Sequence, residues 1–390
     1  MVQSIEWARG VVQRVKSARP GAQELVCQLT DDGREVAAIA YTELCGEVTP
    51  GAVVLLNLRA LSLGLGTGGM AFVVAPAGTG PDAVPDTAPN APPDEVPEPG
   101  GDSGFLVKAR YTPLQVVTRG ADSPRSPHHA LLQRATSLES MPVVVADLHS
   151  SLPAICAAIT HDAARAGRSP RLVYVMTDGA ALPMAFSRTV AQLVRDEVLA
   201  ATVTAGQAFG GDFEAVSVHS ALLTARHVAQ ADITICIQGP GNLGSDTPWG
   251  FSGVAVGDAV NAISVLGGLP VGCLRVSAAD PRPRHQGLSH HSLTAYGQVA
   301  LAPADLAIPR LTGDLAELGR AVTAAAQPLA GRHRLHQVPL DGLMTVLETT
   351  TGLSTMGRGL AQDPASFLAA AAAGRLAFRL SQDAVRTSRQ

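Results

Sequence analysis

The feature that most constrains this chain is a unit repeated along its middle: an apolar run of strand length, a polar loop rich in small residues, then an amphipathic helix. MPVVVADLHS leads into SLPAICAAITHDAARAG, and RLVYVMTDGAALP into AFSRTVAQLVRDEV. LAATVTAGQAFGGD leads into FEAVSVHSALLTARHVAQA, and DITICIQGPGNLG into GVAVGDAVNAISVLGG; LPVGCLRVSAADPRPRHQGLSHHS is the fifth strand and loop. The loops recur at roughly 30 residues, the length of a βαβ unit. Continuous apolar strands separated by helices predict a mainly parallel, Rossmann-like sheet with flanking helices. FLVKARYTPLQVVT is expected to add a strand at the edge of that sheet. From about residue 311 on, the chain reads as mostly helical, with one short strand near HRLHQVPL.

The N-terminal residues follow a different period. GVVQRVKS, QELVCQLT, REVAAIAY, AVVLLNLRA and AFVVAPAG are short alternating runs, separated by turn signals such as DDG and TPG. They predict a small all-β barrel or sandwich over residues 1–75. Residues 76–102 are dominated by Pro, Gly and acidic side chains, cannot bury enough apolar area to offset ordering entropy, and read as a solvated connector. Residues 103–390 form the α/β domain.

Composition narrows the function classes. Hydrophobic residues make up 46% of the 390, enough for a large core, and the formal net charge is −4. A protein living on phosphate backbones needs clustered Lys and Arg, so nucleic acid is not the expected partner. Five scattered cysteines with no Cys-x-x-Cys pair read as free thiols in a reducing compartment. The opening MVQSIEWARG has no apolar run of signal-peptide type, and no stretch reaches the roughly 18 apolar residues of a membrane span. The expectation is a cytoplasmic protein, with room for a homodimer interface in the alanine-rich C-terminal helices.

In a parallel sheet all carboxyl strand ends lie on one edge, so loops far apart in sequence converge there. Turn stability needs only Gly, Pro and a cap. It does not require Asp147, His149, Asp178, Asp212, Gln238, Asn242, Arg275, Asp280 and His285 at one edge, although some Asp and Ser there serve as caps. The candidate catalytic residues are Asp147, His149, Asp178 and His285. The candidate ligand-binding residues are Gly239, Gly241, Asn242, Gly244, Thr247, Trp249, Arg275, Arg282 and Arg284.

The loop QGPGNLGSDTPWGFSG leaves a strand and enters a helix. Its Gly239, Gly241 and Gly244 are expected to take φ above zero and let a ligand approach, with backbone amides holding an anion. Glycines fall at the first, third and sixth positions, but after the fourth strand and with Pro240 between them, which argues against a dinucleotide fingerprint. Trp249 either stacks on a ring or packs. In RPRHQGLSHHSLT, a divalent metal competes with anion binding or acid–base work, and with a plain helix entrance capped by Ser289 and carrying exposed histidines. His290 and His291 are adjacent, about 100° apart on a helix, and are not expected to share an ion. His285 with one of them, plus Asp280 or Asp147, is the metal alternative. Glu214 and Ser217 or Val218 are expected on one helical face, with His219 either packed or catalytic. STMGRGLAQD, with Ser354, Thr355, Arg358 and Asp363, reads as an anion-binding turn or a corner between helices.

Taken together, KARYTPLQ, ADLHS, TDGAALP, GGDFEAVSVHSAL, QGPGNLGSDTPWGFSG, RVSAADPRPRHQGLSHHSLTA and STMGRG resemble a bacterial family named domain of unknown function 3866, over about Lys108 to Gly359. The N-terminal LGLGTGG, which could form a hinge facing the pocket, also fits. The resemblance implies no activity, substrate or cofactor. Function therefore rests on the loops. The leading expectation is a hydrolase or group transferase acting on a small anionic or phosphorylated metabolite, with Asp residues at two strand ends able to hold Mg²⁺. The alternative is a non-catalytic small-molecule sensor or scaffold.

Overall fold

The computed structural model describes residues 5–62, 69–77, 105–112 and 114–387. From residue 78 on, the connector lies outside the described residues, as does most of LGLGTGG. The chain packs as two compact units, Met1–Thr118 and Arg119–Gln390.

In the first unit β1 (Trp7–Arg19), β2 (Ala22–Leu29), β3 (Glu35–Tyr41), β4 (Val53–Asn57) and β5 (Ala71–Pro76) close a barrel in the order β1-β2-β3-β5-β4. Alternation places Val12, Leu25, Cys27, Ala38, Val54 and Leu56 inside. Two register shifts in β1 supply the extra bend that closure of so few strands demands. The DDG turn joins β2 to β3 with Gly33 at φ 72°. The runs expected as barrel strands are the barrel strands.

The short strands β6 (Phe105–Lys108) and β7 (Val116–Arg119) pair with each other. They do not extend the large sheet, which corrects the edge-strand expectation for FLVKARYTPLQVVT.

The second unit is built on β8 (Pro142–Ala146), β9 (Leu172–Thr177), β10 (Ala201–Ala205), β11 (Phe213–Ala215), β12 (Ile233–Gln238) and β13 (Leu269–Cys273). After a two-residue ribbon of β14 (Val276–Ser277) and β15 (Gly287–Leu288) come β16 (Asp305–Pro309) and β17 (Arg334–Val338). The eight-stranded sheet runs β11-β10-β9-β12-β8-β13-β16-β17, with every pair parallel. Every residue of β8, β10, β12 and β16 is buried, as a sheet covered on both faces requires. A last ribbon joins β18 (Ser354–Thr355) to β19 (Arg358–Gly359).

Two elements differ from expectation. Phe213–Ala215 is an edge strand and the following helix starts only at Val218, so Glu214 shares no helical face with Ser217 or Val218. Its carboxylate instead accepts from Thr204 Oγ1 and Gly210 N, fastening the edge. Asp305–Pro309, too short and too close to Pro303 to stand out as a strand, is fully buried beside β13.

The helix Leu152–Arg165 packs on the C-terminal helix Pro364–Thr387, while the helix Ala255–Val265 packs on Val218–Leu223; both sets touch β8 or β13. The chain leaving β8 therefore goes to one face and the chain leaving β12 to the other. β8 and β12 are hydrogen-bonded neighbours, so a crevice opens between their carboxyl ends, the switch point at which open α/β sheets bind ligands. All five cysteines are free and buried. Burial pushes the Cys156, Cys236 and Cys273 thiols up to about 12, so they act as small hydrophobes. Among the described residues no helix is long and apolar enough to cross a membrane.

Candidate functional site

Three loops meet at the crevice: those after β8, β12 and β13. Asp147, the first residue past β8, is buried, and its Oδ2 lies 3.4 Å from both Arg275 Nη1 and His291 Nδ1. Burial alone would raise this carboxyl, but the His291 hydrogen bond and the Arg275 charge outweigh it and hold it below the usual carboxylate range. Arg275 Nη1 also lies 3.1 Å from His291 Nδ1, and Nη2 lies 3.8 Å from Asp280 Oδ2. Arg282 grips Asp280 through Nε and Nη2 at 2.9 and 2.8 Å. That bidentate pair holds the Asp280 carboxyl well below its ordinary range. Arg358 joins Asp280 to Asp363, which also accepts from Ser277 Oγ and Ala278 N. STMGRGLAQD thus forms a hairpin clamped by ion pairs. Thr355 ties it to the loop after β8 through Ser150 Oγ at 3.1 Å.

Inside this frame stand three histidines. His285, His290 and His291 each present one ring nitrogen, all within 4.8 Å of one another. The reading that His290 and His291 diverge too far to share an ion is corrected. Helical side chains lean toward the N-terminus, and these two occupy the first positions of the helix His290–Thr294, so both rings reach forward over its start. His285 meets them there. Ser289 caps that helix as expected, accepting from His291 N at 3.2 Å, and its hydroxyl lies 2.7 Å from His285 Nδ1. His285 is 1% and His291 8% exposed, so they are not surface histidines at a helix entrance. Phe251 stacks on His291 with centroids 3.7 Å apart and planes 5° from parallel, fixing that ring. Burial, together with the Arg275 and Arg282 charges, takes His285 down to about 3. Burial also lowers His290.

The cluster lines a cavity of about 170 Å³ together with Arg275, Arg282, Arg284, Asn242, Gly244, Thr247 and Met356. Arg284 is ion-paired with Asp246 at the rim. Two buried polar atoms in this wall have no hydrogen-bond partner among the described residues: Asn242 Nδ2 and His290 Nδ1. Larger clefts exist elsewhere. One of about 750 Å³ lies among Pro142, Arg168, Asp232 and Leu269, at the amino ends of the strands. One of about 660 Å³ lies between helices, along Cys156, His161, Gln192 and Val346. Neither lies at the carboxyl ends of the strands, where the strand-to-helix loops converge, so position rather than size selects the smaller cavity.

A family model described as "Protein of unknown function (DUF3866)" matches residues 37–374. The chain belongs to that family. The match begins within β3 and takes in every residue of the cluster. A search of curated proteins finds no match to the chain.

The other candidates of this DUF3866 chain stand apart from the histidines. His149 packs toward β9: its Nε2 is 2.7 Å from Ser187 Oγ, and its Nδ1 is 3.1 Å from Tyr174 Oη and 3.3 Å from the Gln238 carbonyl. Burial brings it down to about 4, partly offset by that carbonyl. Asp178 accepts from Gln207 N at 2.8 Å. Gly206, at φ 65°, leaves the space its carboxylate fills. Asp212 likewise accepts from Thr202 N and Oγ1.

Of the three loop glycines only Gly241 has φ above zero, at 97°. This corrects the expectation for Gly239 and Gly244. Gly239 is needed for space instead, because a Cβ there would meet the Ala181 carbonyl. The loop closes on itself, with Ser245 N donating to Gly250 O and Gly250 N to Thr247 Oγ1. Trp249 is 55% exposed and outside the cavity wall. Ser289, Phe251, Ser187 and Asp363 carry much of the geometry. Only Ser289 and Asp363 had a local signal, a cap before a helix and an acid before Pro364.

Proposed function

We propose that this chain is a hydrolase or group transferase acting on a small anionic or phosphorylated metabolite at the carboxyl edge of its parallel sheet. The observation that carries the reading is the cavity wall, where a buried amide donor without a partner, Asn242 Nδ2, stands with three guanidiniums and three imidazoles. A guanidinium has five N–H donors. The ion pairs of Arg275, Arg282 and Arg284 therefore position these side chains and leave N–H groups for a ligand. A volume of about 170 Å³ suits one phosphate- or carboxylate-bearing group better than a dinucleotide, since pockets for larger ligands run from about 300 Å³ upward. Imidazoles beside guanidiniums supply groups able to move a proton next to groups able to hold developing negative charge. Asp147 acts through Arg275 and His291. His149 and Asp178 serve the neighbouring loops. Five buried free thiols support a reducing, cytoplasmic location.

The test is incubation of the full chain with a panel of small phosphate esters and carboxylates, with Mg²⁺, Mn²⁺ or Zn²⁺ added, and product detection by mass spectrometry. Conversion of at least one compound, cut at least tenfold by Arg284→Ala, is expected. Saturable binding without turnover across the panel would favour a non-catalytic sensor.

A further inference from the structure

We propose that His285, His290 and His291 form a binding centre for a divalent transition metal of the zinc class, with a fourth position open to water or a substrate oxygen. The inference rests on the reading of this edge as the ligand site and adds to it a cofactor. Three observations converge. The three ring nitrogens lie within 4.8 Å of one another. Around a tetrahedral ion with N ligands at about 2.0–2.1 Å they would sit about 3.4 Å apart, a contraction that side-chain rotation can supply. His290 Nδ1 is buried with no hydrogen-bond partner, and an orphaned ring nitrogen beside two other imidazoles is explained by a cation. The other two rings are held from behind, His285 by Ser289 Oγ and His291 by Asp147 and Arg275, all at Nδ1. With Nδ1–H donating to Ser289 Oγ in His285 and to Asp147 in His291, both keep Nε2 for a metal, in the manner of histidines oriented by an outer partner.

His291 has two competing tautomers. With Arg275 donating to Nδ1, the ring hydrogen sits on Nε2 and closes it to a cation. With Nδ1–H donating to Asp147, Nε2 carries a lone pair. A metal selects the second, so Asp147 is a positioning residue for His291. The surrounding charges do not forbid a dication, because the guanidiniums of Arg275, Arg282, Arg284 and Arg358 are matched by Asp147, Asp280, Asp246 and Asp363. An all-imidazole donor set favours Zn²⁺, Co²⁺ or Ni²⁺ over the oxygen-seeking Mg²⁺ and Ca²⁺. This differs from the Mg²⁺ expected on strand-end carboxylates, since Asp147 and Asp178 are each engaged elsewhere.

The experiment is titration of the chelator-treated full chain with Co²⁺, read by its visible absorption and by displacement with Zn²⁺. One Co²⁺ per chain is expected, with intense bands of low coordination number. His290→Ala should weaken binding at least a hundredfold. Its circular dichroism and metal-free melting should match the wild type, because this ring makes no hydrogen bond. Asp147→Asn should weaken it about tenfold to a hundredfold. Absence of saturable Co²⁺ and Zn²⁺ binding, or equal affinity in His290→Ala, overturns the proposal. Pyrophosphate binding to the metal-free chain, measured in parallel, separates the two readings. Anion binding without metal binding removes the metal centre alone, and metal binding without anion binding removes the anion site alone.

Discussion

Single residues at the carboxyl edge divide between holding and facing. Asp147, Asp280 and Asp363 are buried and engaged by two or more donors each, so they hold; His290 and Asn242 have buried atoms left over, which the proposed site would offer to a ligand. His149 belongs with the first group, and its burial makes a pH prediction. Its neutral ring is kept down to about 4 against an ordinary 6.5. The unfolded chain therefore takes a proton below 6.5 that the native chain refuses until about 4. Its contribution to stability is intact above 6.5 and is lost as pH falls through that window. In urea unfolding at pH 7.5 and pH 5, His149→Gln should lose less stability on acidification than the wild type. An equal loss would contradict the assignment. His285 adds to the wild-type loss in the same window, so the variant's dependence should shrink without vanishing. At this scale the sequence revealed residue types better than roles. Asp147, Arg275 and His285 were legible because ionisable groups at strand ends have no packing reason to be there. The pairing of His149 with Ser187, 38 positions away, depends on β8 and β9 flanking the same strand, β12, which no local pattern encodes.

Elements that never touch the cavity shape it from behind. The alanine run of the C-terminal helix, Ala369–Ala373, is buried and lets that helix lie close against Leu152–Arg165, the helix that follows Asp147. At Gly374 the approach is backbone to backbone, since a Cβ there would run into the Ile155 carbonyl. Just beyond, Arg375 grips Asp162 through Nε and Nη2 at 2.8 and 2.9 Å. Gly374→Ala sets a helix-propensity gain of about 1 kcal/mol against overpacking of about 1–3 kcal/mol. Because the obstructing atom is backbone and cannot rotate away, overpacking wins. A lower urea midpoint is expected, and a raised one would contradict the close approach. The strand-loop-helix repeats were legible because each carries a long apolar run and a glycine-rich turn. Phe213–Ala215 was missed because three residues have too few positions to show a period, and Asp305–Pro309 because prolines stand just before it and at its end. Their placement is fixed by parallel neighbours instead.

At the scale of the molecule, strand order makes the site. β8 sits between β12 and β13, so the first loop of the α/β unit is flanked by two that come about 90 and about 130 residues later. The repeats predicted a parallel sheet and convergence of its loops on one edge, and both are present. They did not predict which loops are neighbours, because any order of parallel strands buries the same apolar runs. That order brings Asp147, Asn242, Arg275 and the three histidines together and leaves Asp178 and Asp212 on the side of β9 and β10. The proposed function requires this junction to take a small anion. The most direct measurement is calorimetric titration of pyrophosphate into the full chain and into Arg284→Ala, which removes a rim guanidinium and leaves Asp246 uncompensated. Saturable binding at one per chain, weakened about tenfold in the variant, is predicted, in line with about 1.5 kcal/mol for one hydrogen bond to a charged group. No saturable binding, or equal affinity in the two proteins, would contradict it.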